Sequence, residues 1–253
     1  MIRWVLLCLT LALPAQGEEV VAGLSQTNVS ITTTFEGSEI LIFGAVKREE
    51  PIPDDPGPLQ VVITVAGPSV PITVRRKAKW NNFIWINTDA VEVDLAPSFY
   101  AIATSGPFRE VLSEVEDLRN KVSIGRAIRS VGAPMQISDA DSFTEALIRI
   151  RKRESLYQEH PYTVIVNEET LFRTSVALPA NLTEGDYNVR IFLTRGGQVV
   201  DLHEKVIYVQ KVGLERWIYT LAHERPLIYG ILSLAIAIAA GWLASAVFRY
   251  LRA

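Results

Sequence analysis

Apolar residues along this chain are arranged in three ways. From residue 28 to about 104 they come in short runs rich in β-branched side chains, each closed by turn residues. Between about 107 and 160 they recur at helical spacing. Strand-like runs return from Tyr162, and residues 226–248 are then apolar or uncharged without interruption. The first regime predicts strands at 29–35 (VSITTTF), 39–46 (EILIFGAV), 59–66 (LQVVITVA), 70–76, 82–87 (NFIWIN) and 99–103. Gly67-Pro68-Ser69 reads as a turn from which 70–76 returns, and period-two spacing puts Phe83 and Trp85 on one face.

In the middle regime, Ser105-Gly106-Pro107 precedes Val111, Leu112, Val115, Leu118 and Val122. Their spacing is one stripe of a helix, which Gly125 ends. Ser142-Phe143-Thr144-Glu145 has the pattern of a capping box and starts a second helix, with Phe143, Ala146, Leu147 and Ile150 on its apolar face. Beyond these, strands are expected at 172–178, 186–194 and 198–209. The last two are joined as a hairpin through Arg195-Gly196-Gly197, because glycine accepts the positive φ of a tight turn. Leu182-x-x-Gly185-x-Tyr187-x-Val189 before that hairpin is like the tyrosine corner of immunoglobulin-like domains, with the Tyr187 hydroxyl bonded back to the backbone. The expected fold is mainly β: an immunoglobulin-like β-sandwich of about seven strands, a helical hairpin inserted near 107–160, and one C-terminal transmembrane helix. Two small β domains are the alternative.

The ends set the topology. The 23 residues 226–248 lie between Arg225 and Arg249, and as a helix they extend roughly 34 Å, enough for a hydrocarbon core of about 30 Å. Arg3, the short apolar run 5–13, Pro14 and Ala15-Gln16-Gly17 form the parts of a secretory signal, with cleavage expected after Gly17; an uncleaved anchor is the alternative. Cys8 lies inside the apolar run and not at its end, which argues against a lipoprotein. The expected organisation is signal 1–17, exported domain 18–212, juxtamembrane linker 213–225 with Trp217 and Tyr219 as interface aromatics, span 226–248 and cytosolic stub 249–253. Arg249 and Arg252 on the stub suit the positive-inside rule. Arg216 and Arg225 flank the other end, so the signal and not this rule fixes the expected orientation, with the body exported.

Chemistry is sparse. Cys8 is the single cysteine, so disulfides, thiol nucleophiles and cysteine metal sites are excluded from the exported domain. The net charge of −3 becomes −4 once the signal and its Arg3 are removed, which argues against nucleic acid. His160, His203 and His223 have no metal-ligand spacing, and no nucleophile elbow, phosphate loop or dinucleotide fingerprint appears. Glu49, Glu50, Asp54 and Asp55 crowd one proline-rich loop without the order of a calcium loop. No enzyme activity, cofactor or metal is expected. Arg149, Arg151, Lys152 and Arg153 on the second helix are candidates for an anion or an acidic partner, although only Arg149 and Arg153 share a face. In the span, Ser233, Ala237, Gly241 and Ser245 recur every fourth residue, a ladder suited to close helix packing. Helix association and a plain anchor both fit it.

Five segments carry a resemblance: 83–87 (FIWIN), 97–102 (PSFYAI), 178–181 (LPAN) running into Gly185-x-Tyr187, 213–216 (GLER), and Tyr229-Gly230 with Gly241-Trp242. With them the chain resembles the alphaproteobacterial "putative transmembrane protein" family, over most of its length. The resemblance implies a transport-accessory role beside permeases of the sulfite/sulfonate-exporter type and supplies no catalytic residues. The expected function is therefore a non-enzymatic, membrane-anchored periplasmic accessory or interaction protein. Its partner would be an integral membrane protein or a second copy. A periplasmic small-anion sensor is the alternative.

Overall fold

The computed structural model describes residues 18–32, 34–48, 51, 57–81, 83–130 and 139–251. The expected signal 1–17, the loop carboxylates Glu49, Glu50, Asp54 and Asp55, and Arg252 and Ala253 lie outside the described residues. The strands are β1 (Glu19–Leu24), β2 (Asn28–Ile31), β3 (Gly37–Lys47), β4 (Gln60–Ala66), β5 (Ser69–Trp80), β6 (Ile84–Pro97) and β7 (Tyr100–Thr104). Helices α1 (Phe108–Val111), α2 (Glu114–Asn120), α3 (Ile124–Ala127) and α4 (Ala140–Arg153) follow. Then come β8 (Tyr157–His160), β9 (Ile165–Asn167), β10 (Leu171–Pro179), β11 (Gly185–Arg195) and β12 (Gln198–Lys211), and last α5 (Leu214–Glu224) and α6 (Pro226–Leu251). The chain divides into two compact units, one built on Glu36–Val209 with the chain up to Val29, the other on Ser30–Phe35 and Gln210–Ala253.

Two sheets form the first unit's core, one ordered β1-β3-β10-β9, the other β2-β12-β11-β4-β7-β8. In the first, Val20, Ile40, Ile42, Phe172, Val176 and Leu178 are buried while Val21, Leu41, Phe43 and Leu171 are exposed, the alternation of a sheet with one wet face. In the second, β4 is buried along Val61, Val62, Ile63, Thr64 and Val65, so both its faces are covered. Ile63 lies opposite Ala103 and Ile191, and Val62 opposite Thr104 and Phe192. The helical segment caps the Tyr100 face: the Tyr100 hydroxyl donates to Val122 O (2.8 Å) and Arg190 donates to Asn120 O (2.8 Å). The two sheets are tied by Val20 N donating to Asp201 (2.7 Å) and Gln158 donating to Ala177 O (3.1 Å).

The hairpin through Arg195 is as expected, with Gly196 and Gly197 at φ 53° and 77°. The turn at Gly67 is not. β5 does not return beside β4; it leaves the main sheet and, among the described residues, pairs only with β6 as a separate two-stranded ribbon. The reason is occupancy, because β4 already has β11 on one side and β7 on the other. Gly67 is needed for close approach: a Cβ there would lie 2.7 Å from Ser98 Oγ and 2.9 Å from the Tyr187 ring.

The expected helical hairpin is also corrected. Leu112 is extended and Ser113 starts a new helix, its side chain accepting from Glu116 N (3.4 Å), so one stripe becomes three short helices. Lys121, at φ 52°, ends α2, and Gly125 lies inside α3. Val111, Leu112 and Val122 are buried, but Val115 and Leu118 are each 65% exposed. The buried positions of α2 are Glu116 and Asp117, whose carboxylates serve the backbone and neighbouring cations. Asp117 accepts from Val122 N (3.1 Å) and Ser123 N (2.7 Å) and pairs with Arg126 (2.9 Å). Helix α4 begins before the expected box; Ser142 Oγ donates to Asp139 O (2.8 Å) and does not cap the helix.

Three segments converge on Arg195, which ends β11 and is 4% exposed. Its guanidinium donates to both Glu18 oxygens (2.9 Å each), to Glu169 (2.8 Å) and to Gly57 O. Arg48 joins from the end of β3, donating to Glu18 and to Glu169 O. A buried charge is costly unless paired, and here every charge has a partner. Arg195→Met would strand Glu18 and Glu169 and should cost about 3–5 kcal/mol, read by thermal melts of the detergent-solubilised chain.

Hydrogen bonds from Arg195, and then from Arg48, hold the Glu18 carboxyl below its ordinary value of 4.5 against the opposing effect of burial. A depressed folded-state value means stability that is complete above about pH 4.5 and is lost as pH falls through the lower value. The melting temperature should therefore fall on acidification below that point, and Glu18→Gln should flatten part of that acid limb. Tyr187 is fully buried and its hydroxyl donates to Thr183 O (2.7 Å). Tyr187→Phe should cost about 1–2 kcal/mol, a melting shift of a few degrees at about 2–4 °C per kcal/mol.

Candidate functional site

Helix α6 starts at Pro226, where a missing N–H costs nothing because first-turn donors have no helical partner anyway. Its span Pro226–Val247 has a mean hydropathy of 2.1 and is wholly unburied within the chain. A helix satisfies all its interior backbone groups itself, the condition for standing in hydrocarbon. Ser233, Ala237, Gly241 and Ser245 are all exposed on it. Successive steps of four advance about 400° around the helix, so the four residues form a slowly winding stripe. Such a stripe suits a right-handed crossing near −40° with a second helix. A Cβ at Gly241 would meet nothing within 4 Å, so the groove there is open. Ser233 Oγ donates to Tyr229 O (2.8 Å), which leaves its lone pairs to accept from a partner. Before the span, α5 exposes Trp217 and Tyr219, and the Tyr219 ring stacks on His223 at 4.0 Å.

The basic end of α4 is arranged differently from a converging anion site. Lys152 pairs with Glu159 (2.7 Å) and Arg151 lies 3.8 Å from Glu154. Arg149 and Arg153 are exposed. A shallow cleft beside this end is lined by Lys152, Gln158, Glu159 and His160, and none of the three arginines reaches it. His160 shares a hydrogen bond with Gln158 (2.9 Å). Among the described residues no group of three or more His, Cys, Asp or Glu side chains is placed to hold a metal ion.

Two features escaped the sequence reading. The cluster of Glu18, Arg48, Glu169 and Arg195 is one, and no local spacing could have joined residues so far apart. The other is the far end of the β5–β6 ribbon, where Trp80, Phe83, Ile84, Trp85 and Ile86 are exposed together. Its signal was present as five large apolar residues within seven positions beside Lys77 and Lys79, a density that period-two burial does not require.

No curated protein matches the chain. Residues 19–250 match the family described as "Putative transmembrane protein (Alph_Pro_TM)", and that match, together with a helix long and apolar enough to cross a membrane, makes the chain a member of this family and a membrane-anchored protein.

Proposed function

We propose that the chain is a non-enzymatic accessory protein of a bacterial inner membrane, exported by a cleaved signal, with its β body in the periplasm and α6 packed against an integral membrane partner. The observation that carries this reading is the open face of Ser233, Ala237, Gly241 and Ser245 on an uncharged span. Small residues at this spacing let two helix backbones approach, and a plain anchor has no need of them. A permease of the sulfite/sulfonate-exporter type is the partner class that the family resemblance suggests. We read the body as an immunoglobulin-like sandwich. Two features support this: the Tyr187–Thr183 bond just before the β11–β12 hairpin, and buried faces on both larger sheets.

The small-anion sensor has less support, because Arg151 and Lys152 are turned to carboxylates and Arg149 and Arg153 point to solvent without a cleft between them. The reading is tested by crosslinking the full-length protein in native membranes and identifying the products by mass spectrometry. Ala237→Leu/Gly241→Leu should lower recovery of the main integral-membrane product about five-fold, equivalent to roughly 1 kcal/mol of helix packing. Unchanged recovery would remove the helix-packing role.

A further inference from the structure

The β5–β6 ribbon is anchored at its base and free at its end. At the base, Arg76 stacks over the Phe143 ring (4.4 Å) and donates to Asp139 (2.6 Å) and Ser142 (2.8 Å), while Leu95 and Arg129 exchange backbone bonds (2.8 and 3.1 Å). Beyond that clamp, every described residue from Lys79 to Thr88 is exposed. Residues opposite one another in an antiparallel pair share a face. Trp80 lies opposite Ile84 and Ala78 opposite Ile86, which makes one face wholly apolar. Lys79 lies opposite Trp85, its ammonium 5.4 Å from the indole, and Lys77 opposite Asn87, which makes the other face cationic and aromatic. Phe83 at the turn is 86% exposed. Residues 77–88 carry two lysines and no acid.

We propose that this fingertip inserts into the interface of the bilayer that α6 crosses, with Trp80, Phe83, Ile84 and Trp85 among the headgroups and Lys77 and Lys79 on lipid phosphates. Three properties select a lipid surface over a folded partner. Tryptophan with lysine is the composition of membrane interfaces, where an apolar ring carries a polar edge and ammonium groups meet anionic headgroups. The tip is an exposed end, and a fluid interface needs no matching shape. The reach also suffices: β5 runs four residues past Arg76 to Trp80, and at roughly 3.3 Å each that exceeds a headgroup layer of about 5–8 Å. Tethering by α6 keeps the tip at high effective concentration near lipid, so weak insertion is enough. The inference rests on α6 anchoring the chain.

The test uses the full-length chain with Cys8→Ser, reconstituted into vesicles of phosphatidylethanolamine and phosphatidylglycerol. An environment-sensitive fluorophore is attached at Phe83→Cys or, as a control, at Glu204→Cys on β12. Lipid-borne nitroxide should quench the Phe83→Cys label at least two-fold more than the control, with a blue-shifted emission. Adding Lys77→Gln/Lys79→Gln should reduce that difference. Equal quenching at both sites, in chains that still float with vesicles after an alkaline wash, would overturn the proposal and leave the anchor standing. Chains that do not float would overturn the anchor and this proposal with it. Energy transfer between tips that rises with the protein-to-lipid ratio would assign the tip to a second copy instead.

Discussion

One buried guanidinium closes the body of this protein. Arg195 stands at a hairpin of the larger sheet and holds Glu18, 177 residues earlier, together with Glu169 and the backbone at Gly57. Beyond Cys8 the chain has no cysteine, so no disulfide fixes these distant segments. The ion cluster takes that part without a covalent bond. Its strength comes from burial and multiple donors, since an exposed pair of the same residues would contribute about 1 kcal/mol or less. It also brings an ordering in time. Closing a loop of that length has an entropic cost that grows as the logarithm of its size, and no contact compensates until β11 is present. Glu18 can meet Arg48 early, but Arg195 reaches it only after most of the chain is made.

What the sequence showed, and what it hid, follows from how local the determining forces are. The span, the strands with regular alternation and the glycine turn at Gly196 are set by neighbouring residues, and they stand where the pattern puts them. Tyr187 was readable for the same reason, since its bond to Thr183 closes within four residues. The stripe through Val115 has a helical period without the matching burial. Asp117 gathers the N–H groups of Val122 and Ser123 from below α2, and that carboxylate, not an apolar stripe, fixes the segment. The neighbour of β5 is not legible at the Gly67 turn, because pairing depends on which edges are already filled and a strand's own sequence does not record that.

The two membrane-directed features ask different things of lipid. Helix α6 has an apolar span long enough to replace hydrocarbon, and in the proposed function its stripe of small side chains would meet another helix. The proposed fingertip would touch only the headgroup layer, through four large side chains and two ammonium groups. An anchor and a shallow contact together restrict the orientation of a body more than either alone, because one fixes a point and the other adds a second.

The ribbon has a further property that bears on how deep such a contact goes. Among the described residues the ribbon has only two strands, so apart from Leu95, which bonds to Arg129, its outer edges carry backbone N–H and C=O groups with no strand beside them. Water and phosphates can meet those groups in the headgroup layer, whereas in hydrocarbon each would cost several kcal/mol. The open edges thus act as a depth stop. Along β5 the same edge is guarded by Pro71, Arg75, Lys77 and Lys79, and the register shifts at Val70/Ile72 and Arg76/Lys77 twist it away from a flat approach. A ribbon built this way can rest its aromatic end on a surface without recruiting a third strand from another chain.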